Sequence, residues 1–212
     1  MPIDLNWLRT SFEALIYVES VEIVGESMSI ARVDHPTVQI GFAKEPVLHR
    51  DEVERAYGSN SAVRFVVNIP KGAKIAGDAL AFAQERGIAL GSVADSFRAL
   101  RDHADPADYE PAEIAFVLRG ILQHSAVSAV ERLDDFRFLI ERHLFPPVTV
   151  LICPEYQPTA DTVRQLLGKY DSFDILVATN PNSDPTVEAF SAAREAGIVL
   201  MKWRNFLGRL AH

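Results

Sequence analysis

With a single cysteine, Cys153, the chain cannot carry an internal disulfide framework. The six histidines, His35, His49, His103, His124, His143 and His212, are scattered without zinc-ligand spacing. Cys153 lies inside the apolar run VTVLIC and reads as a buried, inert thiol. No apolar run approaches the ~20 residues that span a bilayer, and MPIDLNWLRTSFEAL has neither a basic n-region nor an apolar h-region. A soluble, cytoplasmic protein with no membrane partner is therefore expected. Basic charge is also scarce: 21 Lys and Arg face 29 Asp and Glu, a net charge of −8, and no basic block occurs. Gripping a phosphate backbone needs a basic face, so nucleic acid is expected only through a local patch. The patterns G-x-S-x-G, H-E-x-x-H, C-x-x-C and G-x-x-x-x-G-K-[ST] are absent too, which removes the usual sequence signs of hydrolase, zinc, redox and P-loop chemistry.

What is present is apolar residue, 48% over 212 positions, enough for a packed core, and a repeat. FAQERGIALG, residues 82–91, returns as AAREAGIVLM, residues 192–201. Setting residue n against n+110 pairs residues 37–101 with 147–211 without a gap, and 13 of the 65 pairs are identical. Composition alone would give about four, so an internal duplication is inferred.

Each copy opens with a short apolar run, TVQIGFA or VTVLIC, too brief for a helix. A polar, helix-spaced segment closes at Gly58 or Gly168, and a second strand follows, AVRFVVNI or FDILVAT. After a proline-containing loop a second helix ends at Gly87 or Gly197, the later copy with Asp184 as N-cap and Pro185 at N1. A third strand, IALG or IVLM, leads to a last helix, which in the first copy starts at a Ser92/Asp95 capping box. Strands alternating with helices imply parallel βαβαβ units with right-handed crossovers. The expectation is an α/β fold of two duplicated βαβαβ-containing halves, three-layered, with a mainly parallel sheet.

The segments before the copies read differently. TSFEALIYVES is expected to be a helix with Thr10 and Glu13 as capping box, followed by a strand and a turn at VDHP. Residues 111–143 read as helix throughout, ended by Pro146 and Pro147. RDHADPADYEPAE, residues 101–113, is acidic and proline-bearing and reads as a linker between halves 1–104 and 105–212.

The order helix, hairpin, strand with VQ, helix, strand, then A-x-x-x-A-x-E-x-G-I-x-L resembles the core of Mrr-type restriction endonucleases of the PD-(D/E)xK superfamily. The resemblance covers residues 10–101, and its second half repeats at 147–211. It implies an acidic residue on one hairpin strand and a Glu/Gln-x-Lys triplet on the next, binding Mg2+ or Mn2+ and a hydrolytic water. Here the acid is Glu26 or Asp34 and the triplet is Gln39-Ile40-Gly41, which lacks the lysine. Lys44 falls on the opposite face from Gln39 unless a bulge intervenes, and a migrated lysine finds only Arg50 and Arg55. In the second copy the triplet is Thr149-Val150-Leu151. The resemblance thus implies a degenerate nuclease, with a bacterial-defence or other DNA-related setting by association.

A second reading pairs the two copies edge to edge into one six-stranded, Rossmann-like sheet. Ligands would then sit at loops 68–77 and 178–185: Lys71, Gly72 and Lys74 for a phosphate, Thr179, Asn180 and Asn182 for a sugar or base. Turn chemistry and capping also account for those residues. ERLDDFRFLIERH reads as a charged helix face, and Trp203, Phe206, Leu207 and Leu210 as a helix that packs in the core or forms a dimer surface. The functions compatible with these patterns are, in order, a noncatalytic scaffold, sensor or interaction protein with a protein partner or as a homodimer; a nucleotide or small-molecule binder; and a weak metal-dependent nuclease.

Overall fold

Runs of Val, Ile and Phe bounded by glycine and proline build the strands, and alanine-rich or amphipathic segments build the helices between them. The structure, a computed structural model, describes residues 3–58 and 62–211. It is α/β, and the chain divides into two compact units, Met1–Glu110 and Pro111–His212. No described helix is long and apolar enough to cross a membrane.

The first unit runs α1 (Asn6–Glu13), β1 (Val18–Val24), β2 (Ser27–Arg32), β3 (Val38–Ala43), β4 (Val47–Leu48), α2 (Arg50–Tyr57), β5 (Val63–Asn68), β6 (Lys74–Ile75), α3 (Gly77–Arg86), β7 (Ala89–Gly91) and α4 (Val93–Asp102). Its sheet has the order β1-β2-β3-β5-β7, antiparallel through β3 and parallel beyond it. Alternate residues of the inner strands are buried on opposite faces. Val38, Ile40, Phe42, Phe65 and Val67 meet α1 and α4 through Leu8, Phe12 and Leu100. Val63, Val66 and Leu90 meet α2 and α3 through Val53, Ala79 and Phe82. Each of these Val, Leu, Ile and Phe side chains contributes roughly 1.5–3 kcal/mol of burial.

The second unit runs α5 (Ala112–Leu122), β8 (Val127–Arg132), β9 (Arg137–Arg142), β10 (Val148–Cys153), α6 (Ala160–Lys169), β11 (Ile175–Ala178), α7 (Val187–Glu195), β12 (Val199–Lys202) and α8 (Trp203–Arg209). Its sheet has the order β12-β11-β10-β9-β8, again with an antiparallel hairpin joined to three parallel strands. Backbone pairing repeats 110 residues on: Ile40 faces Phe65 and Val150 faces Ile175, while Ile30 faces Val38 and Ile140 faces Val148. In the hairpins the offset becomes 109 before the turn, since Val21 opposes Ile30 but Val130 opposes Ile140. At that offset Leu8 and Phe12 match Val117 and Ile121, all four fully buried.

Several expectations are corrected. The sheets are mixed rather than mainly parallel, and the strands of the two units belong to different sheets, not one. Residues 111–143 are not one helix, because α5 stops at Leu122 and a hairpin follows. Asp134 turns that hairpin, its Oδ1 accepting the N–H groups of Phe136 at 3.3 Å and Arg137 at 2.8 Å. Helix α1 starts at Asn6, so Thr10 is interior and donates to the Asn6 carbonyl at 3.1 Å instead of capping. Thr186, not Asp184, caps α7, accepting from Ala189 N–H at 3.2 Å. Gly168 lies within α6, which runs to Lys169, whereas Gly58, Gly87 and Gly197 do take positive φ at their helix ends.

The expected linker is also folded through most of its length. Arg64 donates both Nε and Nη2 to Asp105, Pro106 is buried, and the Tyr109 hydroxyl donates to Asp95 at 2.8 Å. Asp105 of this segment is paired with Arg64, and the division between units falls after Glu110. Hydrogen bonding to Arg64 holds the Asp105 carboxyl below its ordinary value of 3.8. A depressed carboxylate pKa stabilises the fold above the unfolded value and loses that contribution as pH falls through the folded one. Protection of the amides of residues 103–109 against exchange, taken relative to the unstructured rate at the same pH, is therefore expected to fall as pH drops through that range. An Arg64→Ala protein should exchange there at all pH values and lose this acid-dependent component.

Candidate functional site

Two places could hold a site in such a fold: the hairpin and β3, where the nuclease resemblance puts it, and the loops beyond the carboxyl ends of the parallel strands. At the first, Val24 pairs with Ser27, leaving Gly25 (φ +64°) and Glu26 as the exposed hairpin turn. Gln39 is half-buried on β3 opposite Ser29, three positions along β2 from Glu26. At about 3.3 Å per residue that is about 10 Å along the strand, with Glu26 out in the turn beyond Ser27, the last paired residue. Asp34 is exposed in the β2–β3 connection. Among the described residues no group of three or more His, Cys, Asp or Glu is placed to hold a metal ion. These donors do not fit a Mg2+ or Mn2+ site.

The third triplet position is closed by the fold. Gly41 faces α2, and a Cβ built there would stand 2.3 Å from the Ala56 carbonyl oxygen. Arg50 and Arg55, the alternatives on α2, bond to Glu54 at 2.8 Å and Glu52 at 3.4 Å along their own helix.

At the carboxyl ends of the strands, the polar side chains tie loops together. Asn68, 3% exposed, accepts from Glu45 N–H at 3.0 Å and donates to its carbonyl at 2.9 Å. Lys74 N–H and Ala76 N–H donate to the carbonyls of Pro46 and Leu48, at 3.0 and 2.9 Å. Lys71 stands exposed beside Gly72 (φ +71°), while Lys74 belongs to β6 and pairs with Val47.

In the second unit the same bonds recur 110 residues on: Asp184 N–H to Tyr156 at 2.8 Å and Thr186 N–H to Pro158 at 3.0 Å. Thr179 is 2% exposed and its hydroxyl donates to Glu113. Asn180 Oδ1 accepts from Asn182 N–H at 3.0 Å, an Asx turn. Ser183 and Thr162 donate to the Glu155 carbonyl and carboxylate, at 3.3 and 2.7 Å. Cys153 is buried, and desolvation pushes its thiol up to about 11. Asn180 and Asn182 are thus tied together by the turn, while the Thr179 hydroxyl is taken up by Glu113 and the Cys153 carbonyl.

Sequence reasoning missed the buried arginines. Arg32, 4% exposed, donates to the carbonyls of Pro36, Leu100, His103 and Ala104 at 2.7–3.0 Å. Arg137, 9% exposed, bonds to fully buried Asp134 at 3.1 Å, to the Ser172 carbonyl at 3.1 Å and to Asp171 at 3.0 Å. Burial raises the Tyr170 hydroxyl's pKa, with Asp135 adding to it. The one sequence signal was the position of Arg32 and Arg142 four residues before a proline, since both donate to the proline carbonyl. No family model, curated protein or solved structure matches the chain.

Proposed function

We propose that the chain is a noncatalytic interaction protein, scaffold or sensor, built by internal duplication on a restriction-endonuclease-like plan whose catalytic site has been lost. The observation that carries this is Gly41 against α2. At the position where the resemblance asks for lysine, the Ala56 carbonyl leaves no room for even a methyl group. The order helix, hairpin, strand, helix, strand in each unit supports the plan, and the recurrence of pairing 110 residues on supports the duplication.

Gly41→Ala is expected to destabilise the first unit by about 1–3 kcal/mol, because α2 must shift to admit the methyl. Denaturant unfolding followed at Trp7 measures it, and Gly41→Lys should cost at least as much without producing nuclease activity.

The small-molecule reading is less favoured by the topology. Strand order runs β1-β2-β3-β5-β7 without reversal, so the sheet has no switch point at which a crevice opens between helices on opposite faces. Thermal shift against a nucleotide panel is the test, since any ligand bound by the folded state alone raises the melting temperature. No concentration-dependent rise is expected. A rise abolished by Lys71→Ala would replace the interaction reading with the nucleotide-binding one.

A further inference from the structure

Helix α5 differs from its counterpart α1 in what it shows to solvent. At the offset of 109, Leu118 and Leu122 stand where α1 has Arg9 and Glu13, an exposed ion pair of 2.7 Å one helical turn apart. Phe116 stands where α1 has Trp7. Ile114, Val117 and Ile121 pack in the core, yet on the outer side Phe116 remains 46% exposed and Leu122 60%. A fold served by Arg9 and Glu13 at these positions does not require leucine there. The second unit therefore carries apolar surface that folding does not call for.

This face is held in place before any partner arrives. The Phe116 ring lies 5.4 Å from that of Trp203, and Trp203 fits because residue 120 is glycine, where a Cβ would stand 2.6 Å from the indole. A ring already fixed costs less to order on association.

The charges and sizes along α5 select the partner. Glu113 and Arg119 are its only charged residues, and they lie three positions either side of Phe116. An antiparallel copy of α5 crossing at Phe116 brings Arg119 of each chain toward Glu113 of the other. Ala112 and Ala115 precede Phe116 on the outer side and the bulkier Arg119 and Leu122 follow it, so the same crossing sets large side chains on small ones. A parallel copy would oppose like charges.

We propose that this face of α5 is the contact of a twofold homodimer, in which α5 packs antiparallel on α5 of a second copy around Phe116. The proposal rests on the interaction-protein reading above and gives that reading its partner.

Analytical ultracentrifugation of the full chain should show a concentration-dependent dimer with a dissociation constant in the micromolar range. Arg119→Glu sets like charges together at both ends of the contact and should weaken the dimer about tenfold or more, and Leu122→Asp should do the same. Both residues are exposed, so the core is left intact. Orientation is read from cysteines, since Cys153 is buried. Ala115→Cys, beside the twofold axis, should give an interchain disulfide on mild oxidation, and Gln123→Cys, at the far end of α5, should not. A wild-type chain still monomeric at ~1 mM overturns the proposal, as does a dimer indifferent to either charge substitution or an interchain disulfide formed by Gln123→Cys. So does a wild-type monomer that binds phosphatidylcholine vesicles through Leu122, which would assign the face to a lipid surface. A monomer without nuclease activity removes only this contact, whereas metal-dependent cleavage removes the interaction reading itself.

Discussion

Arg137→Ala is expected to lower the stability of the second unit by about 3–5 kcal/mol, because it strips the guanidinium from a fully buried carboxylate. Asp134 would keep its turn bonds to Phe136 and residue 137 but lose the charge facing Oδ2, and Ser172 and Asp171 would lose their shared donor. Asp134 has no exposed surface of its own through which to recover hydration. Adding Asp134→Asn to Arg137→Ala should recover part of the loss, since asparagine still turns the hairpin but carries no charge. The two tryptophans make the measurement unit-specific. Trp203 packs between Phe116 and Phe206 in the second unit, whereas Trp7 lies in the first. In a Trp7→Phe background, denaturant unfolding of the Trp203 signal should shift by the stated amount. A shift below ~1 kcal/mol would mean that the ion cluster is hydrated, as a surface pair is.

The second large effect belongs to the first unit. Arg32→Ala removes five donor contacts to four carbonyls, unfastening the β2–β3 turn, the end of α4 and the segment after it together. Orphaned carbonyls and a side-chain cavity place the cost at about 3–4 kcal/mol. Arg32→Lys should restore little, because a single ammonium cannot serve acceptors arranged around a planar fork. Arg142→Ala, which breaks the matching bonds to the Pro146 carbonyl, is the second-unit variant to compare with Arg32→Ala.

How much of this was legible in the sequence follows from how local each signal is. Gly87 and Gly197 at helix ends, the Ser92/Asp95 capping box and the three parallel strands of each unit are written in neighbouring residues, and they fold as read. The second hairpin was hidden for two physical reasons. Val127, Val130 and Leu133 stand three apart and mimic a helix stripe, although Phe138 and Ile140 alternate as strand residues. The hairpin turn in the second unit is also one residue longer, so an ungapped comparison at 110 loses the repeat where the offset changes to 109. The linker misled because Asp105 and Tyr109 are polar residues whose partners, Arg64 and Asp95, lie 41 and 14 positions away. The site was legible only as an absence. Gly41 is visible in the sequence as a missing lysine, but that Ala56 fills its place depends on the packing of α2 on β3.

The most direct measurement is cleavage of labelled single- and double-stranded DNA and RNA by excess protein in Mg2+ and in Mn2+, beside the Glu26→Ala/Gln39→Ala double variant. With Gly41 closed by α2 and Glu26 out in the hairpin turn, about 10 Å along the strand from Gln39, wild type and double variant should give the same background in both metals. Metal-dependent cleavage by the wild type that the double variant lacks would contradict the noncatalytic account.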